Sequence, residues 1–320
     1  MIPIDLQLYH IRFLLEAEST VHMCIQAGAQ IRGALWYALN DIACTDTTQL
    51  SNPAHTQHCP ACYLTGLQTK SPRGMNPPRP FTVRPPLGVR AEEEQIYEKG
   101  EPFQIELVII GDAIRLFPYI VQAMRQAGQT GFGYGRGNFR LLDILNTHPV
   151  TQAQTSLLHN AQVQMPPHAL TQQQVTLATE MLPTEGIRLR FLTPAEIKDK
   201  GTILRTLTFR PLFARLFERL QSLAFHYTEV TQDSAVWQSV YETLTQQASD
   251  IQRHRDDTRW IVVHSGSTRA NRRHDISGLV GDVVYEGNMT PFLPYLMWGQ
   301  SVHVGRNTIK GNGWYVLRAD

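Results

Sequence analysis

Two glycine-rich turns, GFGYGRGNF at 131–139 and HVGRNTIKGNGWY at 303–315, each lead into a strand-like segment that closes one half of the chain. Glycine at this density marks places where the main chain turns sharply or lies close against something else. Two such turns, each just before a final strand, suggest one architecture used twice. In the first half, LQLYHIRFLLEA reads as a strand, and GAQIRGALWYALNDIA puts Ile31, Leu35, Ala38, Leu39 and Ile42 on one helical face. A proline-rich stretch follows, with a weak strand near PFTVRPP, then the strand FQIELVIIG, the helix DAIRLFPYIVQAMRQAG and the strand NFRLLDIL.

The second half repeats the order. GIRLRFLT is a strand, and RPLFARLFERLQSLAFHY is a helix burying Leu212, Phe213, Leu216, Phe217, Leu220 and Leu223. SAVWQSVYETLTQQA is an inserted helix, RWIVVHSG and VGDVVYEG are strands, PFLPYLMWGQ is a short helix and GWYVLRA the last strand. The expected class is α+β, with two tandem ferredoxin-like (RRM-like) domains, β-α-β-β-α-β each. Residues 1–147 form the first, with a cysteine-bearing loop, 148–185 a Gln- and Thr-rich connection with some irregular structure, and 186–320 the second.

A chain of 320 residues suits two such domains, and with 42% hydrophobic residues it reads as soluble and globular. No run of about twenty apolar residues appears, and the N-terminus has no secretion signal, so the expected location is cytoplasmic, with the four cysteines reduced. The net charge of +1 argues against a uniformly basic nucleic-acid binder. The charge is uneven, however: residues 186–220 hold eight Lys or Arg against three acids, while 141–187 hold no Lys or Arg. A polyanion would therefore meet a local basic footprint. Arg210, Arg215 and Arg219 on the helix after 209 read as its solvated face.

In the C-terminal turn, Arg306 and Lys310 lie among glycines whose N–H groups can approach an anion, so phosphate is the natural guest. The loop STRANRRHD gathers Arg269, Arg272, Arg273 and His274 as phosphate or base-edge contacts. His303 precedes the glycine-rich turn and is expected to contact that turn's ligand rather than transfer protons. Cys44, Cys59 and Cys62, spaced C-x14-C-x2-C, can join His55 or His58 around a zinc ion. His264, Cys24 and the tryptophans Trp36, Trp260 and Trp298 read as packing residues, and His22 as a reserve candidate for catalysis. No nucleotide or nicotinamide motif is present, and GFGYGRG does not match G-x-G-x-x-G.

The C-terminal pattern resembles the RAMP superfamily of CRISPR-associated RNA-binding proteins, and within it the endoribonuclease that processes precursor CRISPR RNA. The resemblance is carried by WIVVHSGSTRANRRHDISGLVGDVVYEG and PFLPYLMWGQSVHVGRNTIKGNGWY, and at the other end by IRGALWYALNDIAC, HCPAC and PRPFTVRPP. Asn312 stands where the family often has an apolar residue between its glycines. The resemblance implies cleavage of repeat RNA without a required metal or cofactor, by attack of the RNA's own 2′-hydroxyl, leaving a 2′,3′-cyclic phosphate. It also implies retention of the product as guide RNA, CRISPR effector subunits as partners, and no membrane association. Its RNA-contacting set maps onto Arg269, Arg272, Arg273, His274, His303, Gly305, Arg306, Asn307, Lys310, Gly311 and Gly313. Its catalytic group, between the first helix and the next strand, maps onto His55 and His58 with Tyr37 and Lys70 assisting. A RAMP guide-RNA holder without catalysis and a zinc-stabilised interaction subunit are the alternative readings.

Overall fold

A computed structural model describes residues 4–49, 52–66, 77–228, 233–267 and 272–319, without the side chains of Ser267, Arg272 and Arg273. The chain divides into an N-terminal unit, Gln7–Val89 with Glu93–Ala169, and a C-terminal unit, Leu170–Asp320 with Met1–Leu6 and Arg90–Glu92.

In chain order the N-terminal unit comprises β1 (Leu8–Ala17), β2 (Val21–Met23), α1 (Ala27–Ala43), α2 (Pro53–His58), α3 (Pro60–Thr65), β3 (Phe81–Arg84), β4 (Gln95–Tyr97) and β5 (Pro102–Ile110). It continues with α4 (Phe117–Thr130), β6 (Phe139–Thr147), β7 (Gln154–Ser156) and a small hairpin of β8 (Leu158–His159) and β9 (Gln162–Val163). The main sheet runs β3-β5-β1-β6-β7, antiparallel throughout. Its first four strands give the ferredoxin-like order. In β1, Ile11, Phe13 and Leu15 are buried while Arg12, Leu14 and Glu16 alternate with them, as a strand with one covered face requires. Helix α1 buries Ile31, Leu35, Ala38 and Leu39, and α4 buries Ile120, Val121, Met124 and Ala127. Pro118 stands in the first turn of α4, and Gly131 at φ +83° ends it.

The C-terminal unit holds α5 (Gln172–Thr179), β10 (Gly186–Ala195), a hairpin of β11 (Lys198–Asp199) and β12 (Thr202–Ile203), α6 (Phe209–Tyr227) and α7 (Ser234–Gln247). It ends with β13 (Gln252–Asp256), β14 (Arg259–Ile261), β15 (His264–Ser267), β16 (Arg272–Asp275), β17 (Gly278–Glu286), α8 (Leu293–Val302) and β18 (Tyr315–Arg318). The sheet order is β13-β17-β10-β18, with β14 pairing further along β17. The same ferredoxin-like order therefore recurs. Aromatic rings fill the core, with Phe213 4.8 Å from Phe292 and 5.7 Å from Tyr295 between ring centres.

Within the partly irregular connection 148–185, β7 extends the first sheet, and α5 starts with a capping box in which Thr171 and Gln174 bond reciprocally. One expectation shifts. The second strand of the C-terminal repeat begins at β13, whose polar sequence QRHRD hides it, and the expected strand 259–266 divides at Val262 into β14 and β15.

A charged cluster sits across the first sheet. Arg84 and Arg12 flank Glu106 on neighbouring strands, and the buried His10 places Nδ1 3.0 Å from Glu106 Oε1. Burial alone would raise the Glu106 carboxyl, but Arg84, the His10 hydrogen bond and Arg12 together outweigh it and hold the group well below the usual carboxylate range. Burial first, and then Arg84, lower the His10 pKa, so the imidazole is neutral at pH 7. Glu106 therefore adds stability that is fully present above its unfolded value of about 4.3 and lost as pH falls from there toward its lower folded value, while His10 costs stability below about 6.5, where the unfolded chain takes up a proton. Glu106→Gln should lose about 3 kcal/mol at pH 7, because it removes the carboxylate charge that Arg84, Arg12 and His10 all face. In denaturant titrations the gap to the wild type should narrow between pH 5 and 2; a constant gap would remove the carboxylate from this role.

Candidate nucleic-acid interface and metal centre

Helix α1 ends at Cys44, and the two short helices that follow bring three more soft donors to that end. Asn52 caps α2 by accepting from Ala54 N–H at 3.0 Å, and a proline opens each of α2 and α3, so the direction of both is set locally. Cys44 Sγ lies 3.6 Å from both Cys62 Sγ and His55 Nε2, and Cys62 Sγ is 3.3 Å from His55 Nε2. With Cys59, the four ligand atoms all fall within 4.8 Å of one another. Burial, followed by Cys59 and Cys44, pushes the Cys62 thiol far above its ordinary value. Three sulfurs and an imidazole around one point form a donor set able to hold a soft metal ion.

Of the two histidines proposed for catalysis, His55 thus lies in the cluster and His58, at the end of α2, is exposed. Tyr37 is 52% exposed on α1 with its ring edge-on to Trp36 at 4.9 Å. Lys70 and Arg269 lie outside the described residues.

The C-terminal glycine-rich turn is held from beneath. Val304 N donates to Gly313 O at 3.0 Å, Gly313 N to Pro194 O at 2.9 Å, and Thr193 Oγ1 to Gly311 O at 2.6 Å while accepting from Trp314 N. Gly305, Gly311 and Gly313 have φ of +90°, +85° and +70°, and Asn307 is left-handed as well at +59°. A β-carbon on Gly313 would strike the carbonyl oxygen of Val304. Asn312 is buried and donates to Ile276 O at 2.7 Å, a bond that an apolar residue could not make.

The outer rim of the turn is Arg306, with Gly305, Asn307 and Lys310 half-buried beside it. Arg306 is 55% exposed, and its guanidinium is aimed by Glu196, which accepts from NH1 at 2.8 Å while the Glu196 carbonyl accepts from Arg306 N. Gly311 and Gly313 are buried and serve the packing. His303, expected at the RNA surface, instead turns inward: it is 0% exposed, with its ring parallel to Trp314 at 6.1 Å. Its φ of +62° at the C-terminus of α8 directs the side chain under the turn. In the β15–β16 hairpin, His274 is exposed, and Arg272 and Arg273 pair in register with Ser267 and Gly266. Arg219, expected on a wet face, reaches in and donates to Val302 O at 2.7 Å, capping α8; burial lowers its pKa to about 10.

Residues 189–315, which span this turn and the hairpin, match the family model of the CRISPR-associated endoribonuclease Cas6. Residues 6–170 match a second model, described as an N-terminal domain. Over this C-terminal span the chain carries the domain of the CRISPR-associated endoribonuclease Cas6 family. No curated protein matches it in sequence. Among solved structures it is similar to a Cas6 product complex, at 17% identity over 97% of this chain and 100% of that one, with a TM-score of 0.59. Thermus thermophilus Cas6 matches at 16% identity over 98% and 99% of the two chains with a TM-score of 0.53. A partial Cas6-RT-Cas1–Cas2 complex matches at 15% identity and a TM-score of 0.61, over all of this chain and 47% of that one. At these identities the likeness establishes the fold, tandem ferredoxin-like domains.

The Cas6 turn depends on main chain lying against main chain. Gly313→Ala should cost about 2 kcal/mol or more, combining a left-handed backbone with a carbonyl clash, whereas Arg306→Lys, which keeps a cation beside the buried Glu196, should leave the melting temperature within about two degrees. Equal losses in thermal melts would show that the turn is not packed as described.

Proposed function

We propose that this protein binds CRISPR repeat RNA and cuts it through the RNA's own 2′-hydroxyl, leaving a 2′,3′-cyclic phosphate and a 5′-hydroxyl, and then keeps the product as guide RNA. The observation that carries the reading is the match of residues 189–315 to the Cas6 endoribonuclease family, a span that includes a pinned glycine-rich turn with Arg306 aimed outward. A guanidinium held by a buried acid is a preorganised donor for phosphate. One structural relative was solved with its product, and another stands in an assembly with Cas1 and Cas2, so other CRISPR proteins are the expected partners here.

The reaction asks the protein for a base at the 2′-oxygen, an acid at the leaving 5′-oxygen and positive charge on the phosphorane, and it requires no metal. His55 is committed to the sulfur cluster, which leaves His58 as the acid–base group of that interval, with Tyr37 and Lys70 as its assistants. Imidazole is the side chain best suited to give and take a proton near neutral pH, which fits either role. Arg306, Asn307 and Lys310, with Arg269, Arg272, Arg273 and His274 of the hairpin segment, hold the backbone and base edges.

Zinc fits the cluster. Sulfurs about 2.3 Å from a tetrahedral ion stand about 3.8 Å apart, close to the 3.6 Å between Cys44 and Cys62. Four protein ligands leave no open position, so the ion supplies folding energy and no chemistry at the RNA. Elemental analysis should return one zinc per chain, and Cys62→Ser should lose both the metal and several degrees of melting temperature; a wild type free of metal would remove this site.

Purified protein incubated with end-labelled repeat RNA in buffer without added divalent metal should make a single cut with a cyclic phosphate end. His58→Ala should slow that cut about 10²- to 10⁴-fold at unchanged RNA affinity. Unchanged cleavage by the variant would take His58 out of the mechanism, and tight binding by the wild type without any cut would leave a guide-RNA holder.

A further inference from the structure

The N-terminal glycine-rich turn, residues 131–137, has no role in the reading above, yet it is built as strictly as its C-terminal counterpart. Gly131, Gly133 and Gly135 stand at φ +83°, +70° and +82°, and Arg136 is left-handed at +51°. The turn closes on itself, with Phe132 N donating to Gly137 O and Gly137 N to Phe132 O, both at 2.9 Å. Its underside leaves no room for side chains: a β-carbon on Gly133 would fall on the carbonyl oxygen of His22, and one on Gly137 on that of Thr20. Phe132 is buried with its ring 4.4 Å from Phe139, which anchors the turn from inside.

The strand beneath is fixed too. Residue 22 forms a β-bridge with residue 134, and Gln30 ties the start of α1 to Cys24, accepting from Cys24 N at 3.2 Å and donating to its sulfur at 2.8 Å. On this rigid support Tyr134 is 82% exposed, with its ring centre 6.5 Å from that of His22 and the two planes at 78°. Arg136 is exposed two residues on, and Ile96, in register with His22, is exposed beside them. Several left-handed residues, one of them an arginine, are spent on presenting one aromatic face and one guanidinium to solvent.

An aromatic face with a planar cation beside it suits a nucleotide: the base stacks and the phosphate takes the guanidinium. We propose that Tyr134 and Arg136 form a site for one unpaired nucleotide of bound RNA, Tyr134 receiving the base and Arg136 a phosphate, with His22 buttressing the edge of the ring. This rests on the RNA-binding reading and adds to it a contact in the N-terminal unit, outside the span matched by the Cas6 model. Stacking accepts any base, so the site holds the strand without reading its sequence.

The test is fluorescence anisotropy with labelled single-stranded repeat RNA across a series of salt concentrations. Tyr134→Ala should weaken binding about ten- to a hundredfold, Tyr134→Trp should bind within a few-fold of wild type, and Arg136→Ala should reduce the slope of log K against log salt by about 0.7, one phosphate on a single strand. Thermal melts of all three should match the wild type, since both side chains are exposed. Wild-type affinity in Tyr134→Ala, equal weakening in Tyr134→Trp, or an unchanged salt slope in Arg136→Ala would overturn the site while RNA binding by the wild type stands. A wild type that binds no RNA at any salt concentration would bring down the functional reading itself.

Discussion

At Gly133, Gly137, Gly305 and Gly313 a β-carbon would meet a carbonyl oxygen of a neighbouring segment. Main chain is laid on main chain at these four positions, and everything either turn presents to solvent depends on that closeness. Flexible glycine loops would spend ligand-binding energy on being ordered. Here the order is already in place: the left-handed backbone carries the cost, and Phe132, Asn312 and Thr193 hold it from below. The same residue type that frees an unfolded chain thus makes the folded turn rigid.

Charge is treated the same way. Glu196 is almost fully buried, and its carboxylate faces Arg306 and Lys198 at 2.8 and 3.9 Å. A buried carboxylate beside an RNA-facing loop would repel phosphate if it stood alone. Paired with Arg306 it gives up that repulsion and returns direction, because a guanidinium has five N–H donors and the acid occupies only one side of the fork. In the first sheet Glu106 is ringed by Arg84, Arg12 and His10, so its cluster closes on itself and serves the fold.

The tandem repeat is legible because its central strands alternate and its helices carry clear apolar faces, as β1 and α6 do. β13 was not, because all its residues are polar: it pairs along one side of β17 and owes its conformation to that ladder rather than to burial. The three cysteines were legible from their spacing, but the choice between His55 and His58 was not, since both lie on a helix too short to show a face. Burial of His303 and the inward reach of Arg219 follow from the end of α8, a tertiary contact that composition does not encode. Tyr134 was visible as a letter between glycines. The missing signal was that Phe132 and Tyr134, two apart, point to opposite sides of a closed turn, one inward and one out.

The sulfur cluster joins these threads. Helices α2 and α3 have six residues each, well below the length at which a helix in water sustains itself, and α2, which carries His55 and His58, buries only Thr56. What fixes their path is the convergence of Cys59, Cys62 and His55 on Cys44 at the end of α1. An ion bound there is folding free energy delivered to the interval that carries His58. Under the proposed assignment of His58 as the acid–base group, a metal that does not touch it would still place it, and loss of that ion would loosen His58 before either sheet.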